Sequence, residues 1–241
     1  EQAKKLAYSF ILGKIANCRT VIQRSLRDHA QLPGAPLNEA VQALADCIKR
    51  LEKASSLDHV RGIEGEAARA YFSVFDYLIV AQKEDFKFNG RNRRPPLDKM
   101  NALLSFLYTL LRLDVQAALE TVGLDPAVGF LHRDRPGRPG LALDLMEELR
   151  PVMADRLALS LVNRKQISSD GFIISSSGAI LMDSDTRKTV LEAWQKRKQQ
   201  EITHPYLNEK IELGLIPYVQ ALLLARHLRG DIDGYPPFFW K

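Results

Sequence analysis

Several things are scarce in this sequence, and each shortage removes a class of protein. Only two of its 241 residues are cysteine, Cys18 and Cys47; they lack the spacing of a zinc ribbon and the number needed for a disulfide framework. No uninterrupted apolar run approaches the ~20 residues of a membrane span, so no membrane association is expected. Histidine occurs five times and is never followed by Asp, which speaks against a helical phosphohydrolase built on His-Asp pairs. No Ser-His-Asp or Cys-His arrangement offers a protein nucleophile. The chain opens EQAKKLAYSF, with neither Met nor a secretory leader, and enters helical periodicity at once. A piece of a longer protein, from a reducing cytoplasm, is the expectation.

What the sequence does have is apolar residues at helical spacing, with 46% hydrophobic residues, enough for a full core. Leu6, Phe10, Ile11, Ile15, Cys18, Val21 and Ile22 trace one face of a first helix that stops before QLPGAP at 31–36. Further helices are predicted over 38–55, 57–80, 98–122 with Asp98 as N-cap, 140–163, 184–202 and 208–228. The stretch GFIISSSGAILM at 171–182 alternates loosely and predicts a hairpin. The expected fold is all-α, a helical domain over 1–241 with one small β-hairpin.

Net charge is +5, and its distribution says more than its total. Arg91, Arg93 and Arg94 cluster in NGRNRRPP; Arg133, Arg135 and Arg138 in HRDRPGRPG; Lys196, Arg197 and Lys198 follow Trp194. One such run reads as a solvated face, whereas three together point to phosphate contacts. In GIEGEAARAYF, Gly62 and Gly65 flank Glu64. Glycine in a helix costs ~0.5–1 kcal/mol against alanine, so something approaches closely: a ligand, another chain, or a neighbouring helix crossing on small residues. In GFLHRDRPGRPGLALDLMEELRP, His132 precedes a Gly/Arg loop, and Asp144, Glu147 and Glu148 follow within about one helical turn. One nitrogen ligand with several oxygens suits Mn2+ or Mg2+. On a helical wheel Leu145, Leu149, Val152 and Met153 form the core face, with Glu147 nearly opposite and Glu148 nearer the margin. Periodicity does not choose the ligand.

RGIEGEAARAYF, NALLSFLYTLL, GFLHRDRPGRPGLALDLMEELRP and the closing YPPFFWK resemble the CRISPR-associated integrase family, the Cas-one proteins of bacterial and archaeal adaptive immunity. The last motif is similar to the type I-C branch. The resemblance spans the chain and implies a helical catalytic domain whose N-terminal β-rich domain precedes residue 1. It implies a Mn2+ or Mg2+ site on Glu64, His132 and Glu147, with Glu147 standing where many members have Asp. Asp144 matches a further acid close to the metal, completing a catalytic set of Glu64, His132, Asp144 and Glu147. Tyr108 matches an aromatic position near the family's DNA-binding active site, and Arg69 and Asn101 occupy matching motif positions; Tyr108, Arg69 and the two arginine loops are the expected DNA contacts. The implied activity is that of a metal-dependent DNA endonuclease/integrase: a 3'-hydroxyl of a foreign fragment attacks the edge of a CRISPR repeat by transesterification, installing a new spacer. Prespacer and repeat DNA, the small Cas-two protein and, in the full-length protein, a second copy as homodimer are the implied partners. On the residues alone a non-catalytic helical DNA-binding module is the alternative.

Overall fold

Apolar spacing near 3.6 residues governs most of the chain, and the computed structural model, which describes residues 2–133 and 135–240, is 62% helical. Helix α1, Gln2–Asp28, buries the stripe Leu6, Phe10, Ile11, Ile15, Cys18 and Ile22. It packs with α2, Gly34–Leu51, and α3, Leu57–Ser73. The Ser56 side chain accepts the His59 amide and caps α3; Asp98 does the same for α4, Lys99–Thr121, by accepting the Asn101 amide. By length and hydropathy α4 could cross a membrane. Its stripe of Met100, Leu103, Leu104, Leu107 and Leu111 is instead buried in the protein core.

The segment 140–163 is expected to be one helix and is four short pieces: α5, Gly140–Leu145; a 3-10 turn, Met146–Glu148; a π turn, Arg150–Asp155; and α6, Arg156–Asn163. Pro151 has no amide hydrogen to donate, and a π turn locally widens the spiral. A regular wheel therefore fails here. Glu147 does not stand opposite the core; both Glu147 and Glu148 are buried, at 4% and 0% exposure.

The ribbon β1–β2, Phe172–Ile174 with Ile180–Met182, is the predicted hairpin, with Ile173 opposite Leu181. A second antiparallel ribbon, β3 Glu201–Thr203 with β4 Lys210–Glu212, corrects the expectation of one hairpin and of helices reaching 202 and restarting at 208. Pro205 and a left-handed Asn208 (φ +56°) break the helical path between them, and the His204 ring accepts the Tyr206 and Leu207 amides. Helices α7, Ser184–Lys198, and α8, Ile216–Arg229, flank this ribbon.

After α8 the chain returns across α1. Asn17 donates to the carbonyls of Glu148 (2.7 Å) and Phe238 (2.8 Å) and accepts the Trp240 amide (2.8 Å). The Glu148 carboxylate accepts from Tyr235 Oη, Gln220 Nε2 (2.8 Å) and the Phe238 amide (2.9 Å). Gly13 is required beside it, because a Cβ there would lie 2.8 Å from Glu148 Cβ.

Candidate catalytic cleft

A cleft of about 810 Å3 opens between α1, α3, α4 and the loop before α5, and Glu64, His132 and Glu147 all line it. Glu64 reaches it from α3, on the same side as Arg61, Ala68 and Tyr71. Gly62 and Gly65 have nothing within 4 Å of where a Cβ would stand. Among the described residues no neighbouring helix uses the space they leave, which speaks against a helix crossing within this chain.

The His132 loop is held in place backbone to backbone. A Cβ on Gly129 would come within 2.9 Å of the Gly140 carbonyl carbon, so the two ends of the loop cross at van der Waals contact. Asp144 is fully buried and does not line the cleft. Its carboxylate accepts the amides of Phe130 (2.6 Å), Leu131 (2.8 Å) and His132 (3.0 Å), and meets His132 Nδ1 at 2.5 Å. That contact orients the imidazole and leaves Nε2 as the nitrogen for a ligand. Arg61, which sequence reasoning missed, ties the same loop to α3 by donating to the Leu131 carbonyl at 2.8 Å.

Between the two glutamates stands a residue that no motif reading selected. Lys14 Nζ pairs with Glu64 Oε1 and, at 2.8 Å, with Glu147 Oε2; Arg150 Nη2 pairs with Glu147 Oε1 at 3.0 Å. Burial pushes the Glu147 carboxyl up, but Arg150 and Lys14 outweigh it and hold it down at about 2. Burial disfavours the Lys14 charge, yet Glu147 and Glu64 keep the ammonium well above the ordinary lysine range. Lys14 was visible as a charge inside the apolar stripe of α1, one turn from Phe10, Ile11 and Cys18. Among the described residues no three His, Cys, Asp or Glu side chains are close enough as arranged to share a metal ion. The donor chemistry nevertheless suits a hard divalent cation: two carboxylates, a histidine nitrogen, and a buried oxygen, Glu147 Oε2, whose one close partner is the imperfectly aligned Lys14 ammonium.

Comparison with known proteins identifies the family. Residues 1–196 match the family described as CRISPR associated protein Cas1. The chain belongs to the Cas1 family. It is 58% identical to CRISPR-associated endonuclease Cas1 2 of Rhodospirillum rubrum over 246 residues, covering all of this chain and 72% of that one. A solved casposase bound to integration product has the same fold, with a TM-score of 0.86 at 20% identity, over 99% of this chain and 65% of the other. A chain of a solved Cas6-RT-Cas1–Cas2 complex matches with a TM-score of 0.83 at 26% identity, over 99% of this chain and 25% of that one. The chain thus spans under three quarters of that Cas1 relative and about two thirds of the casposase chain.

In this Cas1-family chain the arginines differ in setting. Arg93, Arg94, Arg133, Arg135 and Arg138 line the cleft. Arg138 is held below its ordinary value by partial burial and then by Arg135 and Arg93. Arg91 lines the cleft too, but is built into its wall, donating to Asn101 Oδ1 (2.6 Å) and Ser105 Oγ (3.1 Å). Asn101 is fully buried and holds the arginine loop, accepting the Asn92 amide and donating to the Gly90 carbonyl and Asp98. Tyr108 donates to Asp155 at 2.6 Å, with the Arg91 and Arg150 guanidiniums 5.2 and 5.0 Å from its ring. Arg69 lies on the exposed side of α3, outside the cleft. In the third cluster Arg197 donates to the Val152 carbonyl at 2.5 Å and Lys198 pairs with Asp114 at 2.9 Å, while Lys196 is exposed.

Proposed function

We propose that this chain is the helical catalytic portion of a CRISPR spacer integrase with endonuclease activity, acting on prespacer and repeat DNA in the cytoplasm. The observation that carries this reading is the convergence of Glu64, His132 and Glu147 on one arginine-lined cleft. Glu64, Glu147 and His132 Nε2 are the residues that would hold a divalent ion, Mn2+ or Mg2+. When bound, such an ion supplies Lewis-acid charge at the scissile phosphate.

The remaining steps belong to the protein and the DNA. Arg93, Arg94, Arg133, Arg135 and Arg138 neutralise the phosphates that approach the cleft. Arg69, on the outer side of the same helix, contacts DNA passing over Gly62 and Gly65. Arg91 and Tyr108 shape the floor under the reacting strand, which fits a positioning role better than direct phosphate contact. Asp144 fixes the His132 tautomer and orientation; it supports catalysis without touching substrate. The nucleophile is the DNA 3'-hydroxyl, so the chain needs to supply none. A Cas2 partner, a homodimer in the full-length protein and placement in the type I-C branch complete the reading.

The test is strand transfer of labelled prespacer DNA into a repeat half-site, with Mn2+ and full-length protein. Glu64→Ala and His132→Ala should each abolish the product, and Asp144→Asn should impair it. Unchanged DNA binding with no metal-dependent chemistry in the unsubstituted protein would favour a non-catalytic DNA-binding module.

A further inference from the structure

Lys14 is 8% exposed, on the buried stripe of α1, and its ammonium lies between carboxylates from two other segments of the chain, α3 and the 3-10 turn. A buried lysine is costly unless paired, and this one is paired twice. With Arg150 on the other oxygen of Glu147, two cations face two anions, and the group is electrically balanced as it stands. Glu147 Oε2 lies within ion-pair distance of Lys14 yet has no aligned hydrogen bond. The ammonium holds that oxygen chiefly by charge.

We propose that Lys14 is an internal counter-cation that occupies the space between Glu64 and Glu147 and competes with a divalent ion for the two carboxylates. This rests on reading the pair as metal ligands. In the metal-free protein Lys14 keeps two like charges from driving apart α3 and the turn that carries Glu147. A divalent ion binding there must displace the ammonium from at least one carboxylate and adds positive charge to a balanced site. Lys14 thereby weakens affinity for the free ion. An incoming DNA phosphate offsets the added charge, so metal affinity rises when DNA is present.

The experiment is Mn2+ titration by electron paramagnetic resonance on the full chain, with thermal melts in chelator and in Mn2+. Lys14→Met should bind Mn2+ about 10- to 100-fold more tightly than the unsubstituted protein. Its melting temperature should fall in chelator and recover with Mn2+ by more than the unsubstituted protein gains. Lys14→Arg, which keeps the charge, should not tighten binding; should the methionine variant fail to fold, Lys14→Gln supplies the neutral side chain. Adding a DNA half-site should tighten Mn2+ binding more in the unsubstituted protein than in the neutral variant. Mn2+ binding in both proteins with equal affinity, or weaker binding in the neutral variant, overturns the proposal and leaves the metal-centre reading standing. Failure of both to bind Mn2+, with or without DNA, overturns the two together.

Discussion

Glu147 and Glu148 are neighbours in sequence and both are buried, yet they end in opposite electrostatic states. Glu147 turns to the cleft, where Arg150 and Lys14 overcome burial and hold it at about 2. Glu148 turns to the returning tail, where burial outweighs the neutral donors Tyr235, Gln220 and the Phe238 amide and lifts it to about 7. Helix α1 serves both sides, presenting Lys14 to the first and, three residues on, Asn17 to the second. Burial alone therefore does not fix the charge of a carboxyl. The kind of partner does: full cations keep it ionised, and dipoles only partly replace the lost water.

The sharpest way to break this contrast is Glu147→Gln. Activity in Mn2+-dependent strand transfer should fall at least ~100-fold, and stability should fall by ~3–5 kcal/mol, because Lys14 and Arg150 lose a buried partner. Glu64→Gln should abolish the same activity with a much smaller stability loss, its side chain being 28% exposed. Equal denaturation midpoints for the two variants would mean that the Glu147 cluster carries no structural weight. Next in size is Glu148→Gln. The amide puts an NH2 group against donors, so chemical denaturation should show a loss of ~1–3 kcal/mol, with Glu147 still ionised and the metal-free cleft intact. This variant is no silent control for Glu147, as a regular helix would have made it.

Asp155 sharpens the comparison as a third buried acid. Burial raises it to about 6 despite the Tyr108 hydroxyl. Its folded form holds a proton more tightly than the unfolded chain does, so it lowers stability as pH rises from about 4 to about 6 and adds no further slope above that. Melts of Asp155→Asn should lack this fall, which amounts to at most ~3 kcal/mol at ~1.4 kcal/mol per pH unit. A stability difference between the two proteins that grows in favour of the unsubstituted chain as pH rises would contradict the sign. The smallest effect belongs to Gly62→Ala and Gly65→Ala. Each should stabilise by ~0.5–1 kcal/mol, since an added methyl has open space around it among the described residues, while DNA binding measured by fluorescence anisotropy weakens.

Much of this was legible in the sequence because long helices repeat their signal many times. The α1 stripe and the Asp98 cap are where periodicity and capping rules put them. The second ribbon was not, since three residues per strand give hardly one cycle of alternation. The irregular turns at 146–155 hid which glutamate faces where. In the cleft, motifs led to Glu64, His132 and Glu147, but Lys14 and Arg61 carry no motif. Lys14 could be found only by asking why an ion sits in an apolar stripe. Charge clustering was equally ambiguous at 196–198, where Arg197 and Lys198 have intramolecular partners that composition cannot show.

Trp240 offers a different use of the structure. Its ring is sandwiched by two guanidinium groups, Arg24 at 3.9 Å and Arg156 at 4.0 Å from the ring centroid, one from the first helix and one from α6. The other tryptophan, Trp194, is buried and donates to Asp114. The chain therefore carries two intrinsic fluorophores in unlike surroundings, one enclosed by the core and one clasped by cations. With Trp194→Phe as background, the emission of Trp240 becomes an optical gauge of whether the tail is seated on α1, readable in real time as DNA or Mn2+ is added.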